Sequence, residues 1–212
     1  MSVARARCDS GLPPAVAGPA FLRDGTEVWV RPVHPSDDDL VRGFVEQESP
    51  ESLERRYFFA IRPSRVEEAI VRPSRPEERL CLVVLGERAE QLAVLGVGEY
   101  ARSPDDPSVA EVAFLVAEAF RDRGIATLLL ARLARAARGY GIVRFEARVL
   151  PENPEMLEVF RGSGLAVEEA SSDGEVDVSI PLGPEVTPSG TLGRAAPLPP
   201  SDLPSLGRGG PA

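Results

Sequence analysis

The chain has 212 residues, 43% hydrophobic and 27% charged, enough for one domain with a sizeable core. Its formal net charge of -9 argues against a general nucleic-acid binder, because a phosphate backbone would be repelled. No apolar run is long enough to span a bilayer and the N-terminus carries no apolar signal core, so no membrane role is expected and the compartment is read as the cytoplasm. The basic residues are all arginine. Cys8 and Cys81 stand in contexts that suit neither a disulfide framework nor a metal site, and Cys81 reads as a small buried hydrophobe. His34 is the single histidine, so a metal centre is not expected.

Met1 to Ala20 is rich in Ala, Gly, Pro and Arg without periodicity and reads as a disordered leader. From Gly183 to Ala212 the composition turns to Pro, Gly, Ser and Leu, as in a mobile tail. The folded unit is therefore expected over residues 21–182. Within it, residues 27–33 alternate after the Asp24-Gly25 turn and predict a strand. Ser36 and Asp37 predict the cap of a helix running to Glu48, and Ser49-Pro50-Glu51 opens a second. Arg65 to Val71 predicts a further helical turn. Residues 80–85 and 92–100 predict two strands joined by a polar turn, and residues 110–116 a fourth strand, together an antiparallel meander.

Ile125, Leu128, Leu129, Leu133 and Ala136 recur at helical spacing, with Arg132, Arg135 and Arg138 on the other face. Gly139 and Gly141 end that helix. Residues 145–150 predict a strand, Asn153-Pro154 the start of a helix to Arg161, and Val167 and residues 176–181 the closing strands. The order gives a mixed α/β (α+β) sheet of six to seven strands flanked by about four helices.

The segment Arg121-Asp122-Arg123-Gly124-Ile125-Ala126 joins the fourth strand to the long helix. The first N–H groups of a helix lack intrahelical partners and carry partial positive charge, so this is an anion site. Gly124 lets a ligand approach the backbone, and Ala126 adds only a methyl group. A diphosphate fits across these amides, with Arg121 and Arg123 adding charge-assisted contacts. Asp122 opposes this unless its carboxylate points to solvent. The pattern is neither the glycine fingerprint of a dinucleotide fold nor a P-loop.

These residues resemble the signature of the GCN5-related N-acetyltransferase (GNAT) superfamily, Arg/Gln-x-x-Gly-x-Gly/Ala. The resemblance covers residues 21–182. Downstream, Leu150-Pro151-Glu152-Asn153-Pro154-Glu155-Met156-Leu157 followed by Gly164-Leu165 is similar to the family's second motif. Upstream, Asp24-Gly25-Thr26 with Arg31-Pro32, and Ser49-Pro50-Glu51-Ser52 with Arg56-Tyr57-Phe58, resemble the bacterial protein lysine acetyltransferases that modify acyl-CoA synthetases. The resemblance implies a largely antiparallel sheet that splays after the fourth strand. Backbone groups of Phe114, Leu115 and Val116 would pair with the pantetheine arm of acetyl-CoA. Amides from Asp122 to Thr127, including Gly124, Ile125 and Ala126, would hold its diphosphate, and Asn153 would contact the coenzyme, cap its helix, or both.

The implied reaction passes an acetyl group from acetyl-CoA to a primary amine, with a protein lysine the favoured acceptor. An alkylammonium, with a pKa of about 10.4, is not nucleophilic until it loses a proton. Glu111, on a strand otherwise apolar on both faces, is the expected base, and burial there would raise its pKa. Glu99 and Glu146 are lesser candidates. Many family members place a tyrosine seven residues after the asparagine, to protonate the departing thiolate; here that residue is Phe160. Tyr57, Tyr100, Tyr140 or solvent would have to act instead. A small-molecule amine as acceptor, or a non-catalytic acyl-CoA sensor, is the alternative. The expected partners are acetyl-CoA and the amine acceptor, without nucleic acid or membrane, and a homodimer is left open. Regulatory domains fused to some relatives are not expected in so short a leader and tail.

Overall fold

The computed structural model describes residues 12–13, 15–57, 62–172 and 174–183. Its strands are β1 (Gly18–Phe21), β2 (Glu27–Pro32), β3 (Arg79–Arg88), β4 (Gln91–Arg102), β5 (Val109–Val116), β6 (Arg144–Val149), β7 (Glu168–Ser172) and β8 (Glu175–Pro181). They form one sheet in the order β1-β2-β3-β4-β5-β6-β8-β7. Every neighbouring pair is antiparallel except β5 with β6. The helices are α1 (Asp38–Val45), α2 (Pro50–Tyr57), α3 (Pro63–Ile70), α4 (Ile125–Gly139) and α5 (Pro154–Arg161). The parallel pair needs a crossover between its strands, and α4 supplies it.

The expected class is borne out, with eight strands and five helices among the described residues. The added strand is β1, whose Gly-Pro-Ala-Phe sequence has no alternation to announce it. It forms because an edge position tolerates proline: Pro19 lies opposite Trp29 of β2. The sheet therefore takes in Gly18, Pro19 and Ala20 from the stretch read as leader, and Val16 before them is buried. Residues 184–212 and most of 1–14 lie outside the described part. The hairpin between β3 and β4 is also tighter than the polar turn over residues 86–91 suggests. Ala89 and Glu90 both take positive φ, 50° and 62°, the backbone of a two-residue hairpin turn, so the strands run up to Arg88 and from Gln91.

The apolar residues of α4 form its buried stripe, including Ile125, Leu129, Leu130 and Leu133, and the helix lies over β3, β4 and β5. Two glycines of β4 set how closely it lies. A Cβ at Gly96 would meet Ile125 Cγ2 at 2.7 Å, and one at Gly98 would meet Phe114 Cδ1 at 2.9 Å and Leu129 Cβ at 3.1 Å. Side chains alternate along a strand, so Glu99 points to the opposite face, where it meets Arg56 of α2. The sheet is thus sandwiched at β4 and β5 between α4 and α2. A buried ion pair closes the start of α1: Arg31 donates to both oxygens of Asp37, each at 2.7 Å, and the His34 N–H donates to Asp37 at 2.8 Å. Burial alone would raise the Asp37 pKa, but Arg31 and the His34 amide outweigh it and hold it below the ordinary value.

Gly98→Ala is expected to lower the unfolding free energy by about 1–3 kcal/mol through overpacking against Phe114 and Leu129. Urea titration checks it; an unchanged midpoint would mean α4 does not sit that close.

Candidate active site

β5 pairs with β4 along nearly its whole length, from Ala110 opposite Arg102 to Val116 opposite Gly96. With β6 it pairs only from Val109 to Glu111, opposite Arg144 to Glu146. β6 goes on pairing with β8 as far as Val149. Beyond Glu111 the two parallel strands therefore part, as expected after this strand, and residues 112–116 face residues 147–149 across a cavity of about 560 Å³. The start of α4, α5 and the end of α2 supply its other walls.

The chain enters α4 through a 3-10 turn, Glu118–Phe120, and two left-handed residues, Asp122 (φ 61°) and Gly124 (φ 87°). Glycine takes such a φ freely and aspartate tolerates it, so the sequence Arg-Asp-Arg-Gly fits the turn. No side chain caps α4. Its first intrahelical bond runs from the Leu128 N–H to the Gly124 carbonyl at 2.9 Å. The amides of Ile125, Ala126 and Thr127 come before that bond, have no acceptor within the helix, and belong to residues that line the cavity.

Phe114, Leu115, Val116, Arg121, Asp122, Gly124, Ile125, Ala126, Thr127 and Asn153 all line this cavity, and so does Glu111. Asp122 is exposed, as an anion site requires. Arg123, expected at the coenzyme site, is the exception. It is not part of the lining; its guanidinium donates to Asp24 at 3.0 Å and lies 4.8 Å over the Phe120 ring. That ion pair pins the β1–β2 turn to the loop, and the Arg23 N–H donates to the Arg123 carbonyl at 3.1 Å. Arg23 takes the rim position instead, its side chain packed where a Gly124 Cβ would point. Nothing local in the sequence signals Arg23, because the contact joins residues about a hundred apart. Asn153 caps α5, accepting from the Met156 N–H at 3.3 Å, while lining the cavity. Arg121 donates to Ser52 Oγ of α2 at 2.6 Å, a tie across 69 residues.

The expected carboxylate base is also placed differently from its forecast. Glu111 is exposed, so burial within the chain does not desolvate it as foreseen. It stands at the last position of β5 that pairs with β6, opposite Glu146, where the cavity opens. From there a second groove of about 830 Å³ runs over β5, β6, β8 and β7, sharing Glu111, Ala147 and Arg148 with the cavity. Register places Glu111 beside Glu146, Glu146 opposite Ser179, and Ser179 opposite Glu168, a lateral row on one face. Within the row only Glu111 and Glu146 set like charges side by side, an arrangement that costs stability. Glu99 is committed to Arg56 and Arg79. Glu146 pairs with Arg144 at 3.2 Å on an exposed strand face.

Of the tyrosines, only Tyr57 lines the cavity. Burial pushes its pKa up to about 12, and Arg56 lies 4.6 Å over its ring. Tyr100 is fully buried and donates to the Pro76 carbonyl; Tyr140 is partly exposed outside the cavity. Phe160 is buried against Phe114 with ring centroids 6.2 Å apart. Phe58 and Phe59 lie outside the described residues. Cys81 is buried, and burial followed by the charge of Glu99 pushes its thiol up to about 12, which leaves it unreactive.

A model of the acetyltransferase (GNAT) family matches residues 44–165, more than half of the chain, and the chain belongs to that family. The crystal structure of the GNAT domain of S. lividans PAT superposes with a TM-score of 0.67 and 31% identity, over 79% of this chain and 98% of that one. The acetyltransferase Pat of Mycolicibacterium smegmatis is 28% identical over 193 residues, 87% of this chain and 56% of its own length. A structure of the cAMP-binding acyltransferase from Mycobacterium smegmatis, in a single-residue variant, gives a TM-score of 0.54 and 26% identity over 80% of this chain and 48% of that one. The chain thus spans about half the length of these last two relatives. The matches bear out the Pat-type resemblance seen in the motifs.

Proposed function

We propose that the chain transfers an acetyl group from acetyl-CoA to a protein lysine side chain, by direct attack within a ternary complex. The observation that carries this reading is the uncapped start of α4, which opens into the gap between β5 and β6. A diphosphate binds across the amides of residues 122–127, where the helix dipole favours negative charge. The pantetheine arm then runs along the unpaired edge of Phe114, Leu115 and Val116, which directs the thioester between the strands. Asn153 borders the same space from α5.

The lysine approaches from the groove, and Glu111 takes its proton directly or through water. The free amine attacks the thioester carbonyl carbon, the C–S bond breaks, and the coenzyme thiolate leaves. With no hydroxyl on Phe160, the proton returned to the sulfur comes from solvent or from Tyr57, the tyrosine that lines the cavity. Glu111 is exposed in the isolated chain, at the place where the cavity and the groove meet, so an acceptor lysine can reach it. An open groove, in place of a closed pocket, supports a protein acceptor over a small amine, and its carboxylates suit a cationic side chain.

The direct test incubates the full chain with radiolabelled acetyl-CoA and candidate acyl-CoA synthetases. Label on a lysine is expected; label only on a small amine would overturn the acceptor. Glu111→Gln is expected to leave acetyl-CoA affinity in place and lower kcat by about 100-fold, the scale of a lost general base. Unchanged turnover would remove Glu111 from the chemistry. Gly124→Val is expected to raise the Kd for acetyl-CoA by about tenfold or more, since it strains a left-handed residue and crowds the helix start. Calorimetry reads that change, and wild-type affinity in this variant would contradict the diphosphate site.

A further inference from the structure

Beside the coenzyme loop lies a pair of carboxyls that the proposed reaction does not use. Glu48, between α1 and α2, is only 8% exposed. Its Oε2 is buried without a hydrogen-bond partner among the described residues, a rare condition that calls for an explanation. Glu118, at the start of the 3-10 turn after β5, is exposed and well supplied with donors. It accepts from Ser49 Oγ at 2.5 Å, Ser52 Oγ at 2.6 Å and the Ser49 N–H at 3.3 Å. Arg121 completes the set, bonded to Ser52 at 2.6 Å and 3.7 Å from Glu118. Arg121 and Ser52 both line the cavity.

Two carboxyls in one site do not ionise independently. Here the donors decide which one is charged. The hydrogen bonds from Ser49 and Ser52 hold Glu118 down at about 2, so it keeps the negative charge. Burial, and then the charge of Glu118, push Glu48 up to about 7, against the weaker pull of Arg121 and Arg88. The charged groups acting on Glu48 are thus Glu118 and Arg121 on the loop before α4, and Arg88 at the end of β3.

We infer that Glu48 is a positioning residue for the coenzyme: binding of a diphosphate at α4 draws one proton from solvent onto Glu48, which leaves Arg121 to face the ligand. The inference rests on the coenzyme site proposed above. A diphosphate brings negative charge next to Arg121. Its field, and the turning of Arg121 toward it, both leave Glu48 with less positive charge nearby, so the neutral acid is favoured. Linkage works in both directions: a proton on Glu48 strengthens coenzyme binding by the same factor. Affinity therefore falls as pH rises through about 7. Stability follows the same sign. The folded value lies above the ordinary 4.5, so the contribution of protonated Glu48 is complete below about 4.5 and is lost as pH rises through about 7.

Calorimetry of acetyl-CoA into the full chain at pH 7.5, in two buffers of different ionisation enthalpy, reads the proton. The wild type is expected to take up on the order of half a proton per site, and its Kd to rise about threefold or more from pH 6 to pH 8. Glu48→Gln keeps the shape and the neutral state; it is expected to lose that uptake and to bind at pH 8 as the wild type does at pH 6. Glu118→Gln removes the neighbouring charge and is expected to move the pH dependence to lower pH. The terminal phosphate of the coenzyme titrates alike in every variant, so the difference between wild type and Glu48→Gln is the readout. Buffer-independent heats in the wild type, or equal uptake in Glu48→Gln, overturn the inference and leave the coenzyme site standing. No heat of binding in the wild type strikes the coenzyme site itself, and the inference falls with it.

Discussion

Parallel pairing between β5 and β6 stops after Glu111, and the chemistry of the fold follows from that stop. Two strands that keep their other partners, β4 and β8, but part from each other leave backbone edges facing across a gap. Unpaired edges in a partly buried gap are costly unless something else supplies donors and acceptors. An extended amide-bearing chain, such as the proposed pantetheine arm, would do so. The helix that crosses from one strand to the other begins at the mouth of the gap without a cap, so the anion site and the extended site are consecutive. Gly96 and Gly98 keep that helix close enough to the sheet for the two to meet.

Much of this was legible in the sequence. The apolar stripe of α4, the Arg-x-x-Gly-x-Ala turn and the Asn153-Pro154 start of α5 are local signals, each fixed by residues within a turn of one another. The fold class and the splay followed from them together with the family resemblance. Features that depend on distant partners were not legible. β1 has no strand pattern and exists because β2 offers an edge. Arg123 looked like a ligand residue on charge alone, but Asp24, far away in sequence, claims its guanidinium. Glu111 looked buried because its neighbours on the strand are apolar; yet it lies where β5 and β6 begin to part, and that place is exposed.

The loop before α4 also joins regions that sequence motifs treat separately. Ser49 and Ser52, which open α2, are bonded to Glu118, and Arg121 of the coenzyme signature is bonded to Ser52. The α2 wall of the cavity and the loop that leads into α4 therefore share one polar network. Beside it, among the described residues, lies a buried carboxylate oxygen without a partner, Glu48 Oε2. Such a network is sensitive to added charge, and a diphosphate is the charge proposed to enter this site.

The central claim is that the free amides at the start of α4 hold the coenzyme diphosphate. Amide proton and nitrogen chemical shifts of the full chain, followed through a titration with acetyl-CoA, test it most directly. The amide protons of Ile125, Ala126 and Thr127 are predicted to move downfield together, as donors to an anion, and to saturate with the coenzyme. Amides there that stay in place while shifts appear elsewhere would contradict it.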